Sequence, residues 1–143
     1  MGLDMYIYSF KEGFSPEDRD KIWEKDIPYE EIHKLLDEFS KEEAYWRKAN
    51  SIHGWFVENV QNNVDNCEYY KVSKEKFSEL LEKVNRAIDT KDMKLIPPVS
   101  GFFFGDTESL EYWLDDMKST KEQISNILEN WDDSRSYYYL SSW

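Results

Sequence analysis

The segment of the chain with the most varied chemistry runs from Tyr45 to Phe56 and reads YWRKANSIHGWF. If the segment is helical, Trp46, Asn50 and His53 lie on one face. Arg47, three residues before Asn50, is their neighbour on the helix surface. An indole for stacking, a guanidinium fork, an amide and an imidazole together suit a phosphorylated or nucleotide-like ligand. The segment therefore supplies the candidate ligand- or partner-binding site.

A structural role for the same side chains is the alternative. Side chains of this kind also lie at the border of a core, where their polar tips hydrogen-bond to a neighbouring element. That neighbour would be another helix or the strand that carries Asp4, and Asp4 accordingly belongs to the candidate set. Both interpretations stay open on the sequence alone.

Catalytic chemistry has weaker support in the residue pattern. His53 with Asp65 and Cys67 would form a nucleophile system, but acidic neighbours on both sides of the cysteine disfavour its thiolate. His53 and Cys67 alone also fall short of a zinc ligand set. Adjacent acids such as Asp115 and Asp116 perform acid–base chemistry only if one of them is removed from water. We therefore expect no catalytic residue, no metal and no cofactor.

The composition is that of an acidic, aromatic-rich domain. Thirty acidic side chains against 18 basic ones give a net charge of -12, which disfavours direct binding to nucleic acid or to anionic membranes. Protein partners, including further copies of the chain, stay open. The 143 residues include 8 Phe, 10 Tyr and 6 Trp, enough apolar surface for one folded domain over 1–143. The single cysteine and the lack of a long apolar run indicate a cytoplasmic protein.

Periodicity predicts a mostly helical chain with a small sheet. The alternation of Leu3, Met5 and Ile7 with polar residues is typical of a strand, and a Tyr-rich segment near the end of the chain predicts a second strand that pairs with it. Strands are predicted over 3–10, 67–72 and 137–140. Helices are predicted over 16–25 and 41–62, and three more are predicted to begin at Pro28, after Ser73 and after Thr107. Gly101–Gly105 is predicted as a short buried strand or an ordered loop. The fold class is therefore α+β, a mostly helical single domain whose small antiparallel sheet includes the N- and C-terminal strands.

The predicted helix over 41–62 carries the candidate site. Ser40 and Glu43 match a capping box at its start. Its apolar stripe consists of Tyr45, Ala49, Ile52, Phe56 and Val60. Gly54 costs a helix up to about 1 kcal/mol relative to alanine, so we expect it to admit another backbone or a ligand at close range.

Five segments in order along nearly the whole chain carry a resemblance: MGLDMY at 1–6, the segment from 45 to 56, DNCEYY at 65–70, GFFFG at 101–105 and SSW at 141–143. In them the chain resembles an uncharacterised family carried by bacteriophages and prophages of Gram-positive bacteria. Some similar proteins are labelled phosphoglycerate kinase, but this sequence has no GxxxxGK[ST] phosphate loop. The resemblance implies a protein acting in the cytoplasm of a bacterial host, and it supplies no catalytic residues.

We therefore expect a non-enzymatic phage or prophage accessory protein. It would inhibit a bacterial defence system or host factor, either by binding a host protein or by sequestering a nucleotide-like ligand. One alternative is a small enzyme acting on a nucleotide or phosphoester, with His53 as the acid–base group and Arg47 as the phosphate clamp. Another is a homo-oligomeric structural module.

Overall fold

The computed structural model describes residues 2–101 and 104–143, and within them five helices accompany a four-stranded antiparallel sheet. The predicted α+β class, with N- and C-terminal strands in the sheet, is confirmed. The strands are β1 (Asp4–Lys11), β2 (Ser40–Arg47), β3 (Tyr70–Lys71) and β4 (Arg135–Ser142). The helices are α1 (Pro16–Trp23), α2 (Tyr29–Phe39), α3 (Asn50–Asn59), α4 (Lys74–Thr90) and α5 (Leu110–Glu129).

The first and last strands lie side by side at the centre of the sheet. The strand order is β2-β1-β4-β3, and the β1–β4 ladder runs from Asp4 opposite Ser142 to Lys11 opposite Arg135. The alternation that predicted β1 is confirmed, because Met5 and Ile7 are fully buried while Asp4, Tyr6 and Tyr8 are partly exposed. The predicted pairing of the two ends of the chain is confirmed.

The main core forms where one face of the sheet meets the helices. The side chains of Met5, Ile7 and Tyr139 belong to the same buried cluster as the apolar stripes of α4 and α5. Each large apolar side chain buried there contributes about 1.5–3 kcal/mol relative to an exposed one. A second, smaller cluster of Ile22, Ile32 and Leu36 joins α1 to α2.

The helix predicted over 41–62 is wrong in its first half, which forms β2. Ala44 and Trp46 are buried while Tyr45 and Arg47 are exposed, a period of two that fits a strand along β1. The hydroxyl of Ser40 donates 2.8 Å to the Leu36 carbonyl oxygen. The apparent capping box therefore closes α2 instead of opening a new helix.

The helix caps were predicted with mixed accuracy. Ser15 caps α1 through a reciprocal pair of hydrogen bonds with Asp18, and Ser73 caps α4, as expected. The cap of α5 is Ser109 and not Thr107, because the Ser109 hydroxyl accepts the hydrogen bond from the Tyr112 amide at 3.2 Å. The strand predicted over 67–72 is shorter, since only Tyr70 and Lys71 pair with β4. The element predicted at Gly101–Gly105 falls partly outside the described residues.

Candidate functional site

The predicted site residues lie at the junction of β2 and α3 and do not share one helix face. Trp46 and Arg47 are consecutive strand residues, so their side chains point to opposite faces of the sheet. Asn50 is the first residue of α3, and His53 follows one turn later. Between strand and helix, Lys48 adopts the left-handed conformation with φ of 55°, and this turn separates the two pairs. The predicted common face is therefore wrong.

Trp46 is a core residue. Its side chain is 3% exposed, it packs against Phe56, and its indole nitrogen donates 2.9 Å to the Thr120 hydroxyl of α5. A ring enclosed in this way offers no free stacking surface to a ligand. It fixes the edge strand β2 to α5.

Asn50 holds a loop in place. Its amide nitrogen donates to the carbonyl oxygens of Phe104 and Asp106 at 3.0 and 2.8 Å, and its oxygen accepts from the Val99 amide at 3.0 Å. Both polar atoms of the side chain are therefore used inside the protein. The contacts tie the loop before α5 to the start of α3.

His53 is the centre of a buried hydrogen-bonded chain. The ring is 1% exposed, with Nδ1 2.6 Å from the Tyr139 hydroxyl and Nε2 2.9 Å from Asp65 Oδ2. The other oxygen of Asp65 accepts from the Trp143 indole at 3.1 Å. Burial raises the pKa of Tyr139 well above its usual value, so its hydroxyl stays protonated at neutral pH. His53 and Asp65 do meet, but Cys67 takes no part in the hydrogen-bonded chain.

Arg47 is the exposed member of the predicted set. Its side chain is 48% exposed, and Nη1 lies 2.8 Å from Asp4 Oδ1. The Tyr45 hydroxyl donates to the same oxygen at 2.6 Å. The hydrogen bond from Tyr45, followed by that from Arg47, lowers the pKa of Asp4. An ion pair this exposed contributes little to stability, so Arg47 keeps most of its guanidinium available to other molecules.

Arg47 and Asn50 border a cavity of about 410 Å³, which we call the α5 cavity. It lies where the β2–α3 junction faces the first half of α5, and its volume falls in the range of about 300–1,000 Å³ typical of small-molecule sites. His53 and Trp46 do not line it. Its remaining lining consists of Lys48, Ser51, Met93, Pro98, Gly105, Asp106, Thr107, Ser109, Tyr112, Trp113, Asp115 and Asp116.

Asp116 is the chemically perturbed group of the α5 cavity. Burial, and then the charge of Asp115, raises its pKa to about 7. Among the described residues its carboxylate has no hydrogen-bond or ion-pair partner. The sequence revealed the adjacent acids but not their setting, since only tertiary packing brings Asp116 to the same cavity as Arg47. A half-buried carboxyl group with a raised pKa, next to a second carboxylate, is an arrangement that acid–base chemistry uses.

Within 2–101 and 104–143, no group of three or more His, Cys, Asp or Glu side chains is placed to hold a metal ion. None of the helices there has the length and apolar character needed to cross a bilayer.

Compared with known proteins, the chain matches no family model, no curated protein and no solved structure.

Proposed function

We propose that this chain is a non-enzymatic accessory protein of the phage or prophage type that acts by binding. It would work in the cytoplasm of a bacterial host and would inhibit a defence system or host factor by sequestering a nucleotide-like ligand or by occupying a host protein. The resemblance of the chain to phage and prophage proteins supports the biological setting.

The observation that carries the proposal is that the polar side-chain atoms of His53 and Asn50 are all hydrogen-bonded within the protein. An imidazole with both nitrogens hydrogen-bonded and 1% exposure cannot exchange a proton with a substrate. His53, the acid–base group of the enzyme alternative, therefore supports structure, while the exposed guanidinium of Arg47 borders a surface cavity. A cavity with free polar side chains at its border suits the binding of a ligand.

The proposal is tested by incubating the purified chain with nucleotides and then recovering both. We expect a nucleotide to bind with a Kd below about 1 mM and to be recovered chemically unchanged. In a parallel arm, the immobilised chain is exposed to lysate of a Gram-positive host and the retained proteins are identified. Turnover of a bound nucleotide would contradict the non-enzymatic role, and absence of both a ligand and a retained protein would contradict binding.

A second candidate function is favoured by the carboxyl pair in the α5 cavity. Asp116, with a pKa of about 7, is suited to give or take a proton at neutral pH. Arg47 and Lys48 in the same cavity would hold a phosphoester. This would be the small-enzyme alternative with Asp116 in the acid–base role that the sequence suggested for His53.

Phosphodiester and phosphomonoester hydrolysis assays separate the two candidates. The enzyme alternative predicts turnover that falls at least 100-fold in Asp116→Asn and is retained in Asp133→Asn, a carboxyl group outside the cavity. The proposed binding function predicts no turnover above that of the buffer in any of the three proteins.

A further inference from the structure

A second cavity, which we call the basic cavity, lies where α1 and α2 meet β1, β2 and the start of β4, and has a volume of about 730 Å³. Its lining carries four cationic side chains, Lys11, Arg19, Lys41 and Arg135, against three carboxylates. The whole chain has 18 basic residues against 30 acidic ones. The lining therefore carries one net positive charge, the reverse of the acidic balance of the whole chain, and cations in a concave site attract anionic ligands.

Most cations of the basic cavity form no close ion pair with a carboxylate of the same chain. In the described part of the chain, Lys11, Arg19 and Arg135 have no carboxylate oxygen within 4.0 Å, and Lys41 has only a marginal contact of 3.9 Å with Glu43. Lys11 and Arg135 are also direct cross-strand partners in the β1–β4 ladder. Like charges directly opposite each other in a sheet are destabilising. Arg135 Nε and Nη2 donate to the hydroxyl and the carbonyl oxygen of Ser9 at 2.9 and 3.2 Å, neutral partners that leave the positive charge in place.

Arg19 is held in position by neutral groups. Its guanidinium lies 4.4 Å from the centre of the Tyr8 ring. Nη1 donates 2.9 Å to the Tyr69 hydroxyl and Nη2 donates 3.3 Å to the Tyr8 hydroxyl. Burial raises the pKa of Tyr8 to about 12, so this tyrosine stays uncharged at neutral pH and leaves the charge of Arg19 intact. The remaining N–H groups of a positioned guanidinium suit the bidentate recognition of a phosphate.

Aromatic rings form the other side of the basic cavity. Trp23 and His33 line it and meet edge to face with ring centres 5.5 Å apart, and Tyr29 packs on His33 at 4.3 Å. Trp23 and Tyr29 are 41% and 66% exposed, so both rings are open to contact with a ligand. An exposed indole next to cations is the combination with which proteins hold a nucleobase and its phosphate.

We infer that the basic cavity binds a nucleoside phosphate of mononucleotide size, with the phosphate at Arg19 and the base against Trp23. The inference rests on the proposed function, that the chain acts by holding a ligand, and adds the place and the chemical class. It also places the ligand in the basic cavity and not beside Arg47. The α5 cavity combines two cations with three aspartates, and this excess of carboxylates disfavours a phosphate there.

The inference is tested by calorimetric titration of the full chain with AMP and UMP, and with adenosine and inorganic phosphate as the two halves of the ligand. We expect both nucleotides to bind with a Kd below about 1 mM, and each half to bind at least 10-fold more weakly. Arg19→Gln weakens AMP binding at least 10-fold. Arg86→Gln is the matched control, because it removes the same charge from the exposed face of α4, and it leaves the affinity unchanged.

A second readout separates binding from folding. Stacking of a base on Trp23 quenches tryptophan fluorescence, so AMP reduces the emission and Trp23→Leu abolishes most of that reduction, whereas phosphate alone leaves the emission unchanged. Arg19→Lys keeps the positive charge and the contact with Tyr8 but loses the planar guanidinium, whose paired N–H groups bind a phosphate through two hydrogen bonds. It melts within a few degrees of the parent chain and still loses affinity for AMP.

Either of two results overturns the inference: AMP affinity that is the same in Arg19→Gln as in Arg86→Gln, or no binding of AMP and UMP at 10 mM. If a host protein is retained while nucleotides fail to bind, the inference fails and the proposed function stands. If AMP binds through Arg19 and is turned over, the inference stands and the non-enzymatic function fails.

Discussion

The two histidines of the chain have opposite surroundings. His53 is enclosed, with Tyr139 and Asp65 on its two nitrogens, whereas His33 lies among aromatic rings at the basic cavity. His53 was the histidine that the sequence selected, because its neighbours Trp46, Arg47 and Asn50 looked like a binding set. The neighbours of His33 in the sequence give no indication of the basic cavity, which forms only when α1 and α2 pack on the sheet.

Replacing His53 by alanine is expected to destabilise the protein by about 2–4 kcal/mol. The change leaves a cavity and removes the hydrogen-bond partners of the buried Tyr139 hydroxyl and of Asp65. Urea unfolding measures the loss. His33→Ala is the matched control and changes the free energy of unfolding by less than about 1 kcal/mol. A loss at His53 as small as that at His33 would contradict a structural histidine.

Asp116 makes stability depend on pH in a defined direction. Its folded pKa of about 7 lies above the usual value of 3.8, so the folded state favours the protonated carboxyl. Its stabilising contribution is complete below pH 4 and is lost as the pH rises through 7. We expect Asp116→Asn to match the parent chain at pH 4 and to be more stable by about 1–2 kcal/mol at pH 8, a value reduced for partial solvent screening.

Urea unfolding of both proteins from pH 4 to pH 8 measures this difference. Comparing the two cancels the opposite contributions of carboxyls whose pKa is lowered, such as Asp4 and Asp18. A stability difference that does not change with pH would contradict the raised pKa of Asp116.

At the scale of elements, α3 depends on a glycine for its contact with the loop before α5. A Cβ atom built on Gly54 would lie 2.5 Å from Val99 Cγ2. The close approach expected at this glycine is therefore made by a side chain of a neighbouring loop. The same loop is tied to α3 by the Asn50 amide, so two different residues of one helix fix it.

We expect Gly54→Ala to destabilise the protein by about 1–2 kcal/mol, although alanine favours a helix, because the new methyl group displaces Val99. The double variant with Val99→Ala recovers part of this loss. A double-mutant cycle monitored by thermal unfolding measures the coupling, expected to be at least 0.5 kcal/mol. Additive losses, with no coupling, would show that the two side chains do not compete for space.

The elements that the sequence predicted best are those whose local signals agree. In α4, the Ser73 cap and the stripe of Phe77, Leu80 and Val84 indicate one helix, and all three side chains are buried. At Ser40–Arg47 the signals conflict, because Tyr45 continues the helical spacing of Ala49 and Ile52 whereas Ala44 and Trp46 alternate with exposed neighbours as in a strand. The choice between them is made by β1, whose free edge needs a hydrogen-bonding partner. Tertiary pairing of that kind cannot be inferred from local periodicity, and the site geometry built on it was missed for the same reason.

At the scale of the whole molecule, the adjacent ends of the chain predict tolerance to circular permutation. Asp4 and Ser142 are direct antiparallel partners, so their Cα atoms are about 5 Å apart and a short glycine-serine linker can join the ends. New ends placed between Lys91 and Asp92, in an exposed turn after α4, interrupt no strand. We expect this permutant to fold with a melting temperature within about 10 °C of the parent chain.

The control permutant opens the chain between Ala44 and Tyr45, inside β2. It breaks the ladder with β1 and is expected not to fold. Circular dichroism and thermal melts distinguish the two. If the permutant opened at Lys91 failed to fold while the one opened inside β2 succeeded, the arrangement of the sheet would be refuted.

The position of β4 also determines when the protein acquires its shape during synthesis. Until Arg135–Ser142 emerges from the ribosome, β1 lacks its central neighbour, and β3 has nothing to pair with. Contacts spanning more than 120 positions form slowly, so the nascent chain presents Met5, Ile7 and the stripes of α4 and α5 to chaperones and proteases. We therefore expect a frameshift or premature stop just before β4 to yield a protein that is degraded, and not one that folds with reduced stability.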